Sequence, residues 1–249
     1  MKYPPKLFAS SISKEKRAKD AFICRFFVRP LSFIVASCFA TIGISANMAS
    51  FLGFLCGLTS VGFVLAAFFS GIDIFALISI ILFIVWSILD CVDGNIARTV
   101  KSGKYGDFFD AVAGYIFPGL YFAVLGFYAS HIYDVVFDST FSLISLFSTI
   151  SAVSFLTLLL SNKKFDDNSV EYSSKDTQIG KTSSSKRIVS LARKALNEIS
   201  FGGLMPFLFL FAYFFHFLTF IVFIYSICFI VFSFMGLCFL FYKAFAAQK

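Results

Sequence analysis

Charge is what this 249-residue chain has least of. Asp, Glu, Lys and Arg supply 14% of the residues, 59% are apolar, and the mean hydropathy is +0.86. A water-soluble domain of this size carries roughly a quarter charged residues, so a soluble globular enzyme is excluded and an integral membrane protein is expected. Histidine is nearly absent: His131 and His216 stand alone at expected helix ends and are too few for a zinc centre. No C-x-x-C pair occurs among the six cysteines (Cys24, Cys38, Cys56, Cys91, Cys228, Cys238), which read as reduced thiols in apolar surroundings. The 38 phenylalanines read as lipid-facing and packing bulk, not as an aromatic binding box.

The cations that remain are unevenly placed. Eight of the 21 Lys and Arg lie in residues 1–30, three between Arg98 and Lys104, eight between Lys163 and Lys194, and two at the C-terminal end. Spanning helices are expected at 47–70, 74–98, 108–130, 140–161, 204–217 and 219–244. The positive-inside rule then puts both termini and the 98–104 turn in the cytoplasm. The apolar run 31–44 is about fourteen residues, short of the roughly 20 that cross a bilayer. It reads as an interfacial amphipathic helix with Arg25 and Arg29 at the headgroups, since a signal peptide would have an unusually long charged leader. The fold class is therefore all-α and polytopic, six transmembrane helices preceded by an N-terminal interfacial helix. Residues 1–46 form a basic cytoplasmic segment, and 47–249 the membrane domain with a polar cytoplasmic loop at 162–200. Within that loop, 186–200 has the spacing of an amphipathic surface helix. The net charge of +7 follows from topology and attraction to anionic membrane lipids, and needs no nucleic acid.

Against this background, four of the fourteen acidic residues fall in one stretch of 25, D-C-V-D-G-N-I-A-R-T-V-K-S-G-K-Y-G-D-F-F-D-A-V-A-G, from Asp90 to Gly114. A carboxylate in an apolar segment costs several kcal/mol to desolvate unless it is paired or binds a cation. Asp90 and Asp93 share a helix face, and Asp110 returns from a second helix after a turn. Three converging carboxylates make a hard, all-oxygen ligand set suited to Mg²⁺ or Mn²⁺.

The stretch resembles the signature of the CDP-alcohol phosphatidyltransferases, D-x2-D-G-x2-A-R, about eight residues, then G-x3-D-x3-D. Asp90, Asp93, Gly94, Ala97 and Arg98 match in place; Gly106 follows after a loop one residue shorter, and Asp110 takes the third Asp position. Reading Gly103 and Asp107 as the second glycine and third Asp is the alternative, less close to the family's Arg-to-Gly spacing. Upstream, G-I-S-A-N-M-A-S (Gly43 to Ser50) weakly resembles the family's G-I-T-P-N-x-x-T, with Ala46 in place of proline.

The resemblance implies a membrane transferase that moves a phosphoryl-alcohol group from a CDP-alcohol to an acceptor hydroxyl, releasing CMP. One of the two substrates would be a lipid, and the chain would act as a homodimer in a membrane of the bacterial inner-membrane type. Asp90, Asp93 and Asp110 would hold two divalent cations roughly 4 Å apart. Gly94 and Ala97 would leave room for the nucleotide, with Gly106 beside it, and Arg98 would fork onto phosphate or pair with an acid. At the position of the family's fourth Asp, usually assigned as general base, stands Gly114. Asp107 cannot replace it, since seven residues of helix separate them by roughly 10 Å. Three readings stay open: a base from another helix or from the substrate's phosphate, or a catalytically impaired relative that binds nucleotide or lipid without turnover. A transporter with an acidic cation site is the reading from a different class.

Overall fold

The computed structural model describes residues 2–13, 17, 20–100, 114, 117–134, 141–173 and 203–246. Among them every regular element is helical. The chain divides into two units, Met1–Tyr121 with Lys194–Leu218, and Phe122–Arg193 with Thr219–Lys249.

In the first unit, α1 (Pro5–Ser10) opens on a proline, whose missing N–H costs nothing at a helix start. Its Phe8 is fully buried against Ala36, Ala40, Ala46, Ala49, Val92 and Ile96. The Ser37 hydroxyl donates to the Tyr3 carbonyl, so the basic N-terminal segment is tied down by packing and a hydrogen bond.

A π-helical turn, Cys24–Val28, leads into α2 (Arg29–Thr41). Pro30 explains the wide turn, because it lacks an N–H and its ring crowds the carbonyl four residues back. The Arg29 N–H bonds to the Cys24 carbonyl five residues earlier, and the helix continues through the proline. This corrects the start expected at Leu31. Helical structure runs unbroken over Cys24–Thr41, 18 residues of mean hydropathy 1.3, long enough to count among the candidate spans. The charge that marked a boundary is masked, since Arg29 is bidentate on Asp20 (2.9 and 3.0 Å) with both side chains only 12% exposed. α2 ends at Gly43, whose φ of +85° only glycine takes without strain, and the Ile44 N–H closes back on the Phe39 carbonyl at 2.9 Å.

α3 (Ala46–Ser70) is capped by Ser45, which accepts from the Met48 N–H. A tight link at Gly71 and Ile72 returns the chain as α4 (Asp73–Thr99). The two pack as an antiparallel pair because the buried face of α3 is small: Ala46, Ala49, Ser50, Gly53, Gly57 and Ser60. Ser60 and Ser79 each donate to the other's carbonyl at 2.8 Å. Phe83 stacks on Trp86 and on Tyr121, with centroids 5.3 and 4.1 Å apart. Phe117 lies so close to Gly57 that a Cβ there would sit 2.8 Å from its ring.

α5 (Phe117–Asp134) begins in the first unit and ends in the second. α7 (Met205–Phe214) belongs to the first; its Tyr213 hydroxyl donates to the Asp73 carbonyl at 3.0 Å. It is shorter than the span expected at 204–217, because the chain turns at His216, whose φ is 56°.

In the second unit, α6 (Phe141–Ser173) and α8 (Leu218–Ala246) join the rest of α5. Phe229 meets Phe122, Phe155 and Tyr225 at centroid distances of 5.8, 4.9 and 5.9 Å. The Thr219 hydroxyl donates to the Ala129 carbonyl. α6 corrects the expected loop: residues 162–173 are helical, and the rest of that loop lies outside the described residues. Composition misled because a polar stretch can continue a helix already nucleated by the apolar residues before it.

Four helices among the described residues are long and apolar enough to cross a membrane: Cys24–Thr41, Ala46–Ser70, Asp73–Thr99 and Leu218–Tyr242. Leu143–Leu158 and Met205–Phe214 are apolar but shorter. The first half of the span expected at 108–130 and the surface helix expected at 186–200 lie outside the described residues.

Candidate functional site

The last three turns of α4 carry Asp90, Asp93, Gly94, Asn95, Ala97 and Arg98, so the two acids share one helix as their spacing requires. Asp93 points toward α3 and is 8% exposed. Its Oδ2 accepts from the Ser50 hydroxyl at 2.6 Å, and its Oδ1 from the Gly94 N–H at 2.5 Å. Ser50 also lies 3.1 Å from the Ala46 carbonyl, but one hydroxyl has one proton, and the shorter contact to a carboxylate is the stronger. Asp90 is half-buried one turn earlier.

Asn95 faces the other neighbour, α2, and is fully buried. Its amide nitrogen donates to the Ser32 hydroxyl at 2.9 Å, and its carbonyl accepts from an Arg98 guanidinium nitrogen at 2.8 Å. Arg98 folds back over Gly94, where an added Cβ would be 3.2 Å from Nη1. The room at Gly94 is thus shared with the guanidinium. Ala97 packs half-buried against the cluster around Phe8 and Ile96, where small size lets helices approach.

Three features escaped the sequence. Ser50 and Ser32 donate and accept across helices, which no local pattern reveals. Asn95 carried a signal: an amide three residues before an arginine in an apolar helix is within reach of it. Asn47, one turn before Ser50, keeps a buried Oδ1 with no partner among the described residues, an acceptor open to a donor from a ligand. Nearby, Cys24 and Cys91 pack together with Ala21, Val28, Ile88 and Phe207. All six cysteines are free thiols, and Cys38 and Cys238 are exposed, not core.

Asp110 and Gly106 lie outside the described residues, as does Asp107. Among the described residues no group of three His, Cys, Asp or Glu side chains could hold a metal ion. The donors that are described fit a hard cation in kind: Asp90, Asp93 and the Ser50 hydroxyl are all oxygen, with no soft or imidazole ligand among them. Gly114 is described, and a Cβ built on it meets nothing within 4 Å among the described residues. A basic cleft of about 500 Å³, lined by Lys6, Ala9, Ser10, Ile12, Ser13 and Arg17, shares no residue with this acidic cluster.

Helices and site together define a class, an all-helical protein over its described residues whose apolar helices suit an integral membrane protein, with an acidic, amide-braced cluster closing α4. No protein-family model and no curated protein matches the chain.

Proposed function

We propose that the chain is a membrane-embedded transferase of the CDP-alcohol phosphatidyltransferase kind, transferring a phosphoryl-alcohol group from a CDP-alcohol to an acceptor hydroxyl with release of CMP. The observation that carries this reading is the end of α4, where Asp93 is buried in the grip of Ser50 while Arg98 reaches back over Gly94. Burial of an ionisable carboxylate in an apolar helix calls for a compensating charge. In this reading Asp90, Asp93 and Asp110 hold Mg²⁺ or Mn²⁺. Bound there, such ions would neutralise the donor pyrophosphate and stabilise the oxygens of an in-line displacement. The protein's own residues do the positioning: Ser50 fixes the Asp93 carboxylate, Gly94 lets the guanidinium lie close to the helix, and Arg98 forks onto phosphate oxygens. Six spans, an interfacial N-terminal segment, cytoplasmic termini and a homodimer complete the proposed arrangement, which gives the site access to water-soluble cytidine nucleotides.

Gly114 favours a second reading, a relative of this family that binds a CDP-alcohol without turning it over. The two separate in one assay. Membranes containing the protein, screened with CDP-diacylglycerol and with soluble CDP-alcohols, should release CMP only when Mg²⁺ or Mn²⁺ is present, and Asp93→Asn should stop it. Donor binding with no CMP release, and release appearing in Gly114→Asp, would establish the second reading. Absence of both binding and release would end the transferase proposal.

A further inference from the structure

Arg98 is held by an amide where a carboxylate would be the stronger partner, and the hydrogen bonds behind it run in one direction. The Ser32 hydroxyl donates its proton to the Arg29 carbonyl at 2.8 Å, so toward Asn95 it can only accept. That fixes the buried Asn95 side chain with its nitrogen on Ser32 and its oxygen on Arg98. Both Ser32 and Asn95 are fully buried, and Ser32 belongs to α2, so the guanidinium is braced against a different helix from its own. Among the described residues the salt bridge of this region is Arg29 with Asp20, which gives that second arginine its own carboxylate.

Resting on the transferase reading, we infer that Asn95 and Ser32 are positioning residues that orient the Arg98 guanidinium toward a phosphate oxygen of the donor without placing a carboxylate of their own against its charge. A neutral amide restrains the side chain through one hydrogen bond, leaves the remaining N–H donors to the ligand and does not itself offset the charge. A carboxylate in the same place would restrain it equally well but cancel the charge that the phosphate needs. A ligand bound without phosphate would gain nothing from the device. The inference therefore concerns the pyrophosphate end of the nucleotide, and separates it from the cytidine end.

The test uses the full-length protein in nanodiscs with Mg²⁺, equilibrium dialysis against CDP and, separately, cytidine, and thermal unfolding followed by the emission of the single tryptophan, Trp86. Asn95→Ala should raise the Kd for CDP about tenfold, the worth of one charge-assisted hydrogen bond, with cytidine binding unchanged. Asn95→Asp should raise it further while unfolding near the wild-type temperature. Ser32→Ala should act in the same direction and less. In the double variant Asn95→Ala/Arg98→Ala the Kd should equal that of Arg98→Ala alone, because a brace has no effect once its object is gone. Additive losses, equal losses for CDP and cytidine, a smaller loss in Asn95→Asp than in Asn95→Ala, or lowered unfolding temperatures with CDP affinity intact would each overturn the inference and leave the transferase reading standing. A wild-type protein that does not bind CDP would bring down both.

Discussion

The two units use their buried serines differently. In the first, polar side chains reach across helices: Ser50 to Asp93, Ser60 to Ser79, Asn95 to Ser32, Tyr213 to Asp73. In the second, among the described residues, Ser148, Ser151 and Ser226 donate to carbonyls three or four residues back in their own helices, the Thr219 hydroxyl reaches across to the Ala129 carbonyl, and the remaining contact between helices is largely aromatic, around Phe229. A serine whose one partner is a carbonyl of its own helix satisfies its hydroxyl and fixes nothing beyond the helix. One that bonds a neighbour sets register, and the unit with such bonds is the one that holds buried Asp93 and Asn95. Cross-helix polarity marks the place where position matters.

The contrast can be broken at several strengths. Asp93→Asn is the most severe: in the transferase reading it should take CMP release down to background, a loss of at least about 10²–10³-fold, whereas Ser226→Ala should leave it unchanged. Second come the close approaches. Gly126→Ala would bring a Cβ to 1.8 Å from the Ser148 hydroxyl oxygen and Gly57→Ala to 2.8 Å from the Phe117 ring, so both should destabilise by about 1–3 kcal/mol in SDS unfolding followed by far-UV ellipticity. Gly236→Ala should cost less, because the atom it meets is the flexible end of Leu158. Ser60→Ala should lose about 1 kcal/mol, near the upper part of the range for hydrogen bonds between membrane helices, and Ser226→Ala only a few tenths. Smallest is Tyr213→Phe, which removes one exposed hydrogen bond; a loss near zero by the same ellipticity measurement is expected, and a loss above about 1 kcal/mol would mean that α7 depends on this contact.

Sequence reading succeeded where one force dominated. The bounds of α3 and α4 fell within a residue of 47–70 and 74–98, because long apolar runs stop at Ser70–Gly71 and just beyond Arg98. It failed where charges found partners. The Asp20–Arg29 bridge hid a helix start behind what looked like a headgroup boundary; the polar end of α6 was misread on composition alone. At the site, Asp90, Asp93 and Arg98 were legible because charge in an apolar helix is conspicuous. Ser32 and Ser50 were not: a serine is unremarkable until the neighbouring helix is in view. Asn95 was printed inside the motif, at one of the positions where the signature specifies no residue type.

The wide turn ahead of Pro30 has a bearing on the N-terminal arm as a whole. It closes one turn with a residue more than an ordinary α turn, so deleting one residue from 24–28 would leave an ordinary turn and keep what precedes it near the same azimuth. The same deletion inside α2 beyond Ser32 would instead rotate the arm, Ser32 included, by about 100° and carry Ser32 off Asn95. The wide turn is thus where the arm tolerates a change of one residue in its length.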